Sequence, residues 1–155
     1  MYQRILVPLD GLATSEAIIP EVKIIAERMQ SEMIFLHVVP KAVPEFAPPS
    51  RPLSKGFTSK QKVKQTRYLK TLCGKIEKDG ARATYLIREG AVADTILEVA
   101  ETMQVDLIAM STQGRSAAQI ILLGNVTYQV VRHSPLPMLV IRSNIEPPES
   151  RDQAA

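Results

Sequence analysis

Residues 106–141 read DLIAMSTQGRSAAQIILLGNVTYQVVRHSPLPMLVI, and the order of elements in this stretch decides the fold class. Asp106 to Met110 is a short apolar run of strand length. From Asn125 to His133 the pattern is helical, with Val126, Val130 and Val131 available for packing. Ser134 and Pro135 stop that helix, and Met138 to Ile141 form another apolar strand. A strand, a crossover helix and a second strand make a βαβ unit, whose strands run parallel.

The same alternation extends upstream. Arg4 to Leu9 (RILVPL) reads as a buried strand that turns at Asp10-Gly11. Thr14 or Ser15 caps a helix carrying Ile18, Val22, Ile25, Ala26 and Met29, with Pro20 tolerated near its start. Met33 to Val38 and Ala83 to Arg88 are further strands, the latter turning at Glu89-Gly90. A long basic helix opens at Thr58 or Ser59, buries Val63, Leu69, Leu72, Cys73 and Ile76, and ends at Gly80. Ile96, Val99, Ala100 and Met103 mark the helix before the fourth strand. Near-continuous apolar strands separated by helices predict a five-stranded parallel sheet with helices on both faces. Ligands of such sheets bind outside the carboxyl ends of the strands, where strand order reverses.

A chain of 155 residues fits one domain, read here as residues 1–142. Five prolines between Pro40 and Pro52 mark 40–56 as a loop or lid, and 143–155 is a polar tail. One cysteine excludes an internal disulfide and a thiolate-rich zinc site. The opening MYQRILVPLD is not a leader, and no apolar run approaches a membrane span, so the expected location is the cytoplasm, without membrane contact. The net charge of +3 is uneven: residues 51–88 hold eleven Lys or Arg against Glu77 and Asp79. No aromatic residues interleave those bases, which favours a solvated helix face over nucleic-acid binding.

Several enzyme classes lack their motifs. There is no G-x-G-x-x-G after the first strand, no P-loop and no G-x-S-x-G elbow. His37 reads as a satisfied core or near-core residue, and His133 as a helix C-terminal cation. What remains is Ser111-Thr112-Gln113-Gly114, nine residues, then Gly124-Asn125-Val126-Thr127. Gly114 permits a turn or close approach, and a helix opening at Gly124-Asn125 presents free N–H groups and its positive dipole end. With Arg115, Asn125 and Thr127 as donors this arrangement suits a phosphate-type anion; by spacing alone a glycine turn and an asparagine cap are the favoured reading, since both are common at helix boundaries.

The opening RILVPLDG, the block GAVADTILEVAETMQVDLIAMSTQGRS and the closing LLGNVTYQVVRHSPLPMLVIR together resemble the universal stress protein (UspA) superfamily, from Arg4 to about Arg142. That resemblance implies a sheet of order 3-2-1-4-5, and a homodimer built through the last strand, Met138 to Ile141. ATP-binding members share a pattern G-x2-G-x9-G-[ST]. Here Gly114 and Gly124 match, while Ser111 stands at the first glycine and Asn125 at the Ser/Thr. The resemblance further implies that Pro8, Asp10 and Val38 surround the adenosine of ATP or a related nucleotide. Leu9, Met110, Ser111 and Val126 complete the site, with phosphates on Gly114, Arg115, Gly124, Asn125 and Thr127. Asp10 would meet the ribose or a phosphate-bound Mg2+, with hydrolysis slow at most. The expected function is a nucleotide-binding stress or signalling module; the alternative is a dimer that binds no nucleotide and acts through an unknown protein partner. Ser111 supports the alternative, because a side chain there is costly if the backbone needs positive φ.

Overall fold

The computed structural model describes residues 1–40, 58–113 and 125–143. In chain order these form β1 (Arg4–Pro8), α1 (Ala13–Glu16), α2 (Ile19–Met29), β2 (Glu32–Pro40), α3 (Ser59–Lys78), β3 (Arg82–Gly90), α4 (Val92–Thr102), β4 (Leu107–Gln113), α5 (Asn125–His133) and β5 (Met138–Ser143). The five strands make one sheet of order β3-β2-β1-β4-β5, and every pair is parallel. The parallel sheet is the one the apolar runs predict, and its order is the one the resemblance implies.

Strand periodicity of two divides the core into two layers. Ile5, Val7, Met33, Phe35, Leu107 and Ala109 face one side, where they pack with Val22 and Ala26 of α2 and Leu69, Cys73 and Ile76 of α3. Leu6, Ile34, Leu36, Ile108 and Met110 face the other, against Ile96, Val99 and Ala100 of α4 and Val130 of α5. At about 1.5–3 kcal/mol for each fully buried aliphatic or aromatic side chain, these layers are the main source of stability.

The single helix expected after a cap at Thr14 or Ser15, running to Met29, is two helices, Ala13–Glu16 and Ile19–Met29. Pro20 has no N–H to offer the Glu16 carbonyl, so α1 ends at Glu16 and a turn at Ala17-Ile18 intervenes. Pro20 then sits in the first turn of α2, where no hydrogen bond is lost. The residue capping α1 is Leu12, in extended conformation and without a side-chain cap, rather than Thr14 or Ser15. By contrast α3 starts as its sequence suggests, with a capping box between Thr58 and Gln61, and Gly80 (φ +91°) follows its end.

Val63 and Val131 are exposed, not packed as expected. Six residues of helix turn Val63 about 120° away from Leu69, and one residue turns Val131 about 100° away from buried Val130. β4 and β5 also run further than their apolar runs, to Gln113 and Ser143, with Ser111 paired to Ile141 and Gln113 to Ser143. Most of the expected loop 40–56 and of the tail 143–155 lies outside the described residues.

Candidate functional site

At its amino end β1 is tied closely to β4. The Asp106 carboxylate accepts from the backbone N–H groups of Gln3 (2.7 Å) and Arg4 (2.9 Å), and Asp106 N–H donates to the Arg4 carbonyl (2.9 Å). Pairing continues through Ile5–Leu107 and Leu6–Ile108 and goes no further. On either side the sheet stays closed: β1–β2 pairing reaches Pro8–Leu36, and β4–β5 pairing reaches Gln113–Ser143. Strand order reverses between β1 and β4, so their separation opens a crevice at the carboxyl end of the sheet.

The loop after β1 lines this crevice and is held by its own hydrogen bonds. Gly11 has φ +85°, a conformation that L side chains rarely adopt, and the Gln65 side chain of α3 lies against it. The Asp10 carboxylate uses Oδ1 to accept from Leu12 N–H (2.8 Å), an Asx-type turn, while its Oδ2 has no partner among the described residues. Ser15 Oγ donates to the Leu12 carbonyl (2.9 Å) and accepts from Asp10 N–H (3.3 Å). Asp10 is exposed, so the loop presents one fixed carboxylate oxygen to solvent at the mouth of the crevice. Behind it, His37 Nδ1 lies 3.0 Å from the Leu9 carbonyl and is thereby satisfied, as expected of a half-buried histidine.

The sequence-derived candidates distribute around this opening. Pro8 is half-buried at the end of β1. Leu9 is buried on the α2–α3 side of the sheet, whereas Val38 and Met110 are buried in the α4–α5 layer, with Val126 packed against them. These four apolar residues thus belong to the two core layers, near the carboxyl ends of β1, β2 and β4 and the start of α5. Asn125 is exposed at the start of α5, and Thr127 is buried on its inner side. Gly114, Arg115 and Gly124 lie outside the described residues.

Ser111 departs from expectation in two ways. It belongs to β4 rather than to a loop, and it is not among the described residues with positive φ, which apart from glycines are Gln30 and Gln104. No backbone strain therefore attaches to a serine here. Its hydroxyl donates to the carbonyl of Thr14 in α1, a contact that spacing along the chain cannot reveal.

The comparison with known families matches the Universal stress protein family over residues 1–142. The chain belongs to that family. It is 34% identical to a universal stress protein of Methanothermobacter thermautotrophicus, over 92% of this chain and 97% of that one. It is 30% identical to universal stress protein MJ0577 of Methanocaldococcus jannaschii, over 92% and 96%. Among solved structures, universal stress protein UspA from Lactobacillus plantarum superposes with a TM-score of 0.74 at 24% identity, covering 91% of this chain and 98% of that one. At that identity the likeness speaks for the fold, and it agrees with the 3-2-1-4-5 sheet. Among the described residues of this universal stress protein, no helix is long and apolar enough to cross a membrane.

α3 borders the site and carries seven of the chain's bases. Tyr68 OH donates to the Glu16 carboxylate of α1. Burial, then the neighbouring Glu16, push the Tyr68 hydroxyl well above the usual tyrosine range. Cys73 lies on the inner face of α3, where burial, with Glu77 second, pushes its thiol up to about 11. It packs as a small apolar residue.

Proposed function

We propose that the crevice between β1 and β4 binds an adenine nucleotide, ATP or a related adenosine compound, and that the protein acts as a cytoplasmic nucleotide-responsive stress or signalling module. The observation that carries this reading is the carboxylate of Asp10, with Oδ1 engaged by Leu12 and Oδ2 without a partner among the described residues, in the loop after β1 where β1 and β4 part. A free carboxylate oxygen beside apolar walls suits a ribose hydroxyl pair with a base stacked on Val38 and Met110. Asn125 at the start of α5 would meet phosphates, with Gly114, Arg115 and Gly124 as further candidates. Support also comes from two universal stress proteins of the same fold, solved in complex with cAMP and with dAMP. Any Mg2+ would arrive on the phosphates, since no three His, Cys, Asp or Glu side chains among the described residues gather into a metal site. None of the described residues stands out as a base to orient a hydrolytic water, so turnover would be slow.

Calorimetric titration with ATP, AMP and GTP tests the reading. Micromolar binding, about −8 kcal/mol, is expected for an adenine nucleotide, with loss on Asp10→Ala. Absence of heat and of any thermal shift at millimolar adenine nucleotide would overturn it.

A second reading, a dimer that works through a protein partner, is favoured by the surface of α3. Its bases make no ion pair among the described residues. Lys62, Arg67 and Lys70 edge an open groove of about 550 Å3 beside exposed Val63. An acidic partner fits that charge, and the charge reversal Lys62→Glu/Lys70→Glu would abolish its capture without touching nucleotide binding.

A further inference from the structure

α1 is a single turn, and a helix that short has no stability of its own. Its carbonyls also lack helical continuation, because α2 begins afresh at Ile19. One of them belongs to Thr14, which is 6% exposed, and it accepts a hydrogen bond from Ser111 Oγ of β4. The opposite end of the same loop is self-bonded: Asp10 to Leu12, Leu12 to Ser15, and Ser15 back to Asp10. Asp10 is thus tied to α1, and α1 is tied to β4. At this level β1 and β4 have already separated. Among the described residues, Ser111–Thr14 is the one side-chain hydrogen bond that joins the loop to β4 across the crevice.

We infer that Ser111 is a positioning residue: by holding the Thr14 carbonyl it sets where Asp10 presents its free oxygen, and so tunes the affinity of the crevice. This rests on the nucleotide reading above for the affinity, but not for the position of the loop. The Ser111 hydroxyl is engaged by the Thr14 carbonyl and so acts on the ligand only through the loop. If instead Ser111 obstructed the crevice, its removal would tighten binding, so the two ideas predict opposite signs.

The test uses the full chain with Ser111→Ala, Ser111→Thr and Asp10→Asn, singly and with Ser111→Ala/Asp10→Asn combined. Without nucleotide, amide exchange at Leu12 and Ser15 should quicken about fivefold in Ser111→Ala, the equivalent of one lost hydrogen bond. With ATP, Ser111→Ala should bind about fivefold more weakly when Asp10 is present and unchanged when it is Asn, because the effect passes through that carboxylate. Ser111→Thr keeps a hydroxyl and should restore both readouts. Unaltered exchange in a folded Ser111→Ala overturns the inference, as does tighter ATP binding or an equal loss in the Asp10→Asn background. If the native chain binds no adenine nucleotide, the reading of the crevice fails, and the exchange measurement alone decides whether Ser111 places the loop.

Discussion

The Tyr68 hydroxyl, midway along α3, donates to the carboxylate of Glu16 on α1. With Ser111 holding Thr14 from β4, the one-turn helix is gripped from both sides. Both grips are polar contacts, and the Tyr68 ring also packs against the α2–α3 layer, so α1 is held at the rim of the core.

Tyr68→Phe keeps the ring and removes that donor. Stability at pH 7 should fall by about 1–2 kcal/mol in denaturant unfolding, the worth of a half-buried hydrogen bond to a charged acceptor. A hydroxyl held above its ordinary value contributes stability that is complete below about pH 10 and is lost as the pH rises through the folded value. The difference between native and variant should therefore shrink above pH 10. A difference that stays constant from pH 8 to 11 would mean that Tyr68 is not buried against Glu16.

Gly90 ends β3 opposite Pro40, and a Cβ there would lie 2.5 Å from Thr95 Oγ1. Thr95 is buried at the start of α4, so its hydroxyl cannot simply swing into water. Gly90→Ala should cost about 1–3 kcal/mol as an overpacked site. In the double variant with Thr95→Ala the two costs should add to less than their sum, because the offending oxygen is gone. Full additivity would refute the clash.

Cys73 should be inert in the native protein. A thiol with a pKa of about 11 is ionised in about one molecule per thousand at pH 8. Iodoacetamide should therefore label it at least a hundredfold more slowly than free glutathione, and at a comparable rate once denaturant is added. Its raised value adds stability that is whole below its ordinary 9.0 and fades as pH passes 11. Rapid native labelling would place Cys73 outside the core.

Elements whose signal is local were legible in the sequence. The strands declare themselves as apolar runs, and the capping box of Thr58 and Gln61 fixes where α3 starts. α5 spans the residues its pattern predicts, Asn125 to His133. Elements whose boundary depends on a partner were not. The polar Ser111-Thr112-Gln113 reads as loop, yet pairing with β5 keeps it in strand. The break between α1 and α2 follows from the one missing N–H of Pro20, which apolar periodicity alone does not register. In the site, Asp10 was visible as the acid after β1, but its engagement by Leu12 and the tie from Ser111 to Thr14 join residues that only the fold brings together.

β5 closes one edge of the sheet, and its apolar residues Met138 to Ile141 are each only half-buried. Leu139 and Ile141 lean on the α2–α3 layer and Met138 on the α4–α5 layer. Among the described residues the outer side of β5 pairs with no further strand, and native proteins tend to cover an edge that carries an apolar run such as Met138 to Ile141. A second copy of the same strand, related by a two-fold axis, satisfies both requirements with one self-complementary surface. The chain should accordingly sediment as a dimer at micromolar concentration. Val140→Glu places like charges near each other across that axis and should weaken association more than tenfold. Its half-buried position on an edge means the fold should survive, with the far-ultraviolet spectrum unchanged. A native chain that sediments as a monomer at 100 μM (roughly the range of a weak specific dimer), or a Val140→Glu variant that remains fully dimeric, would show that β5 is not the contact.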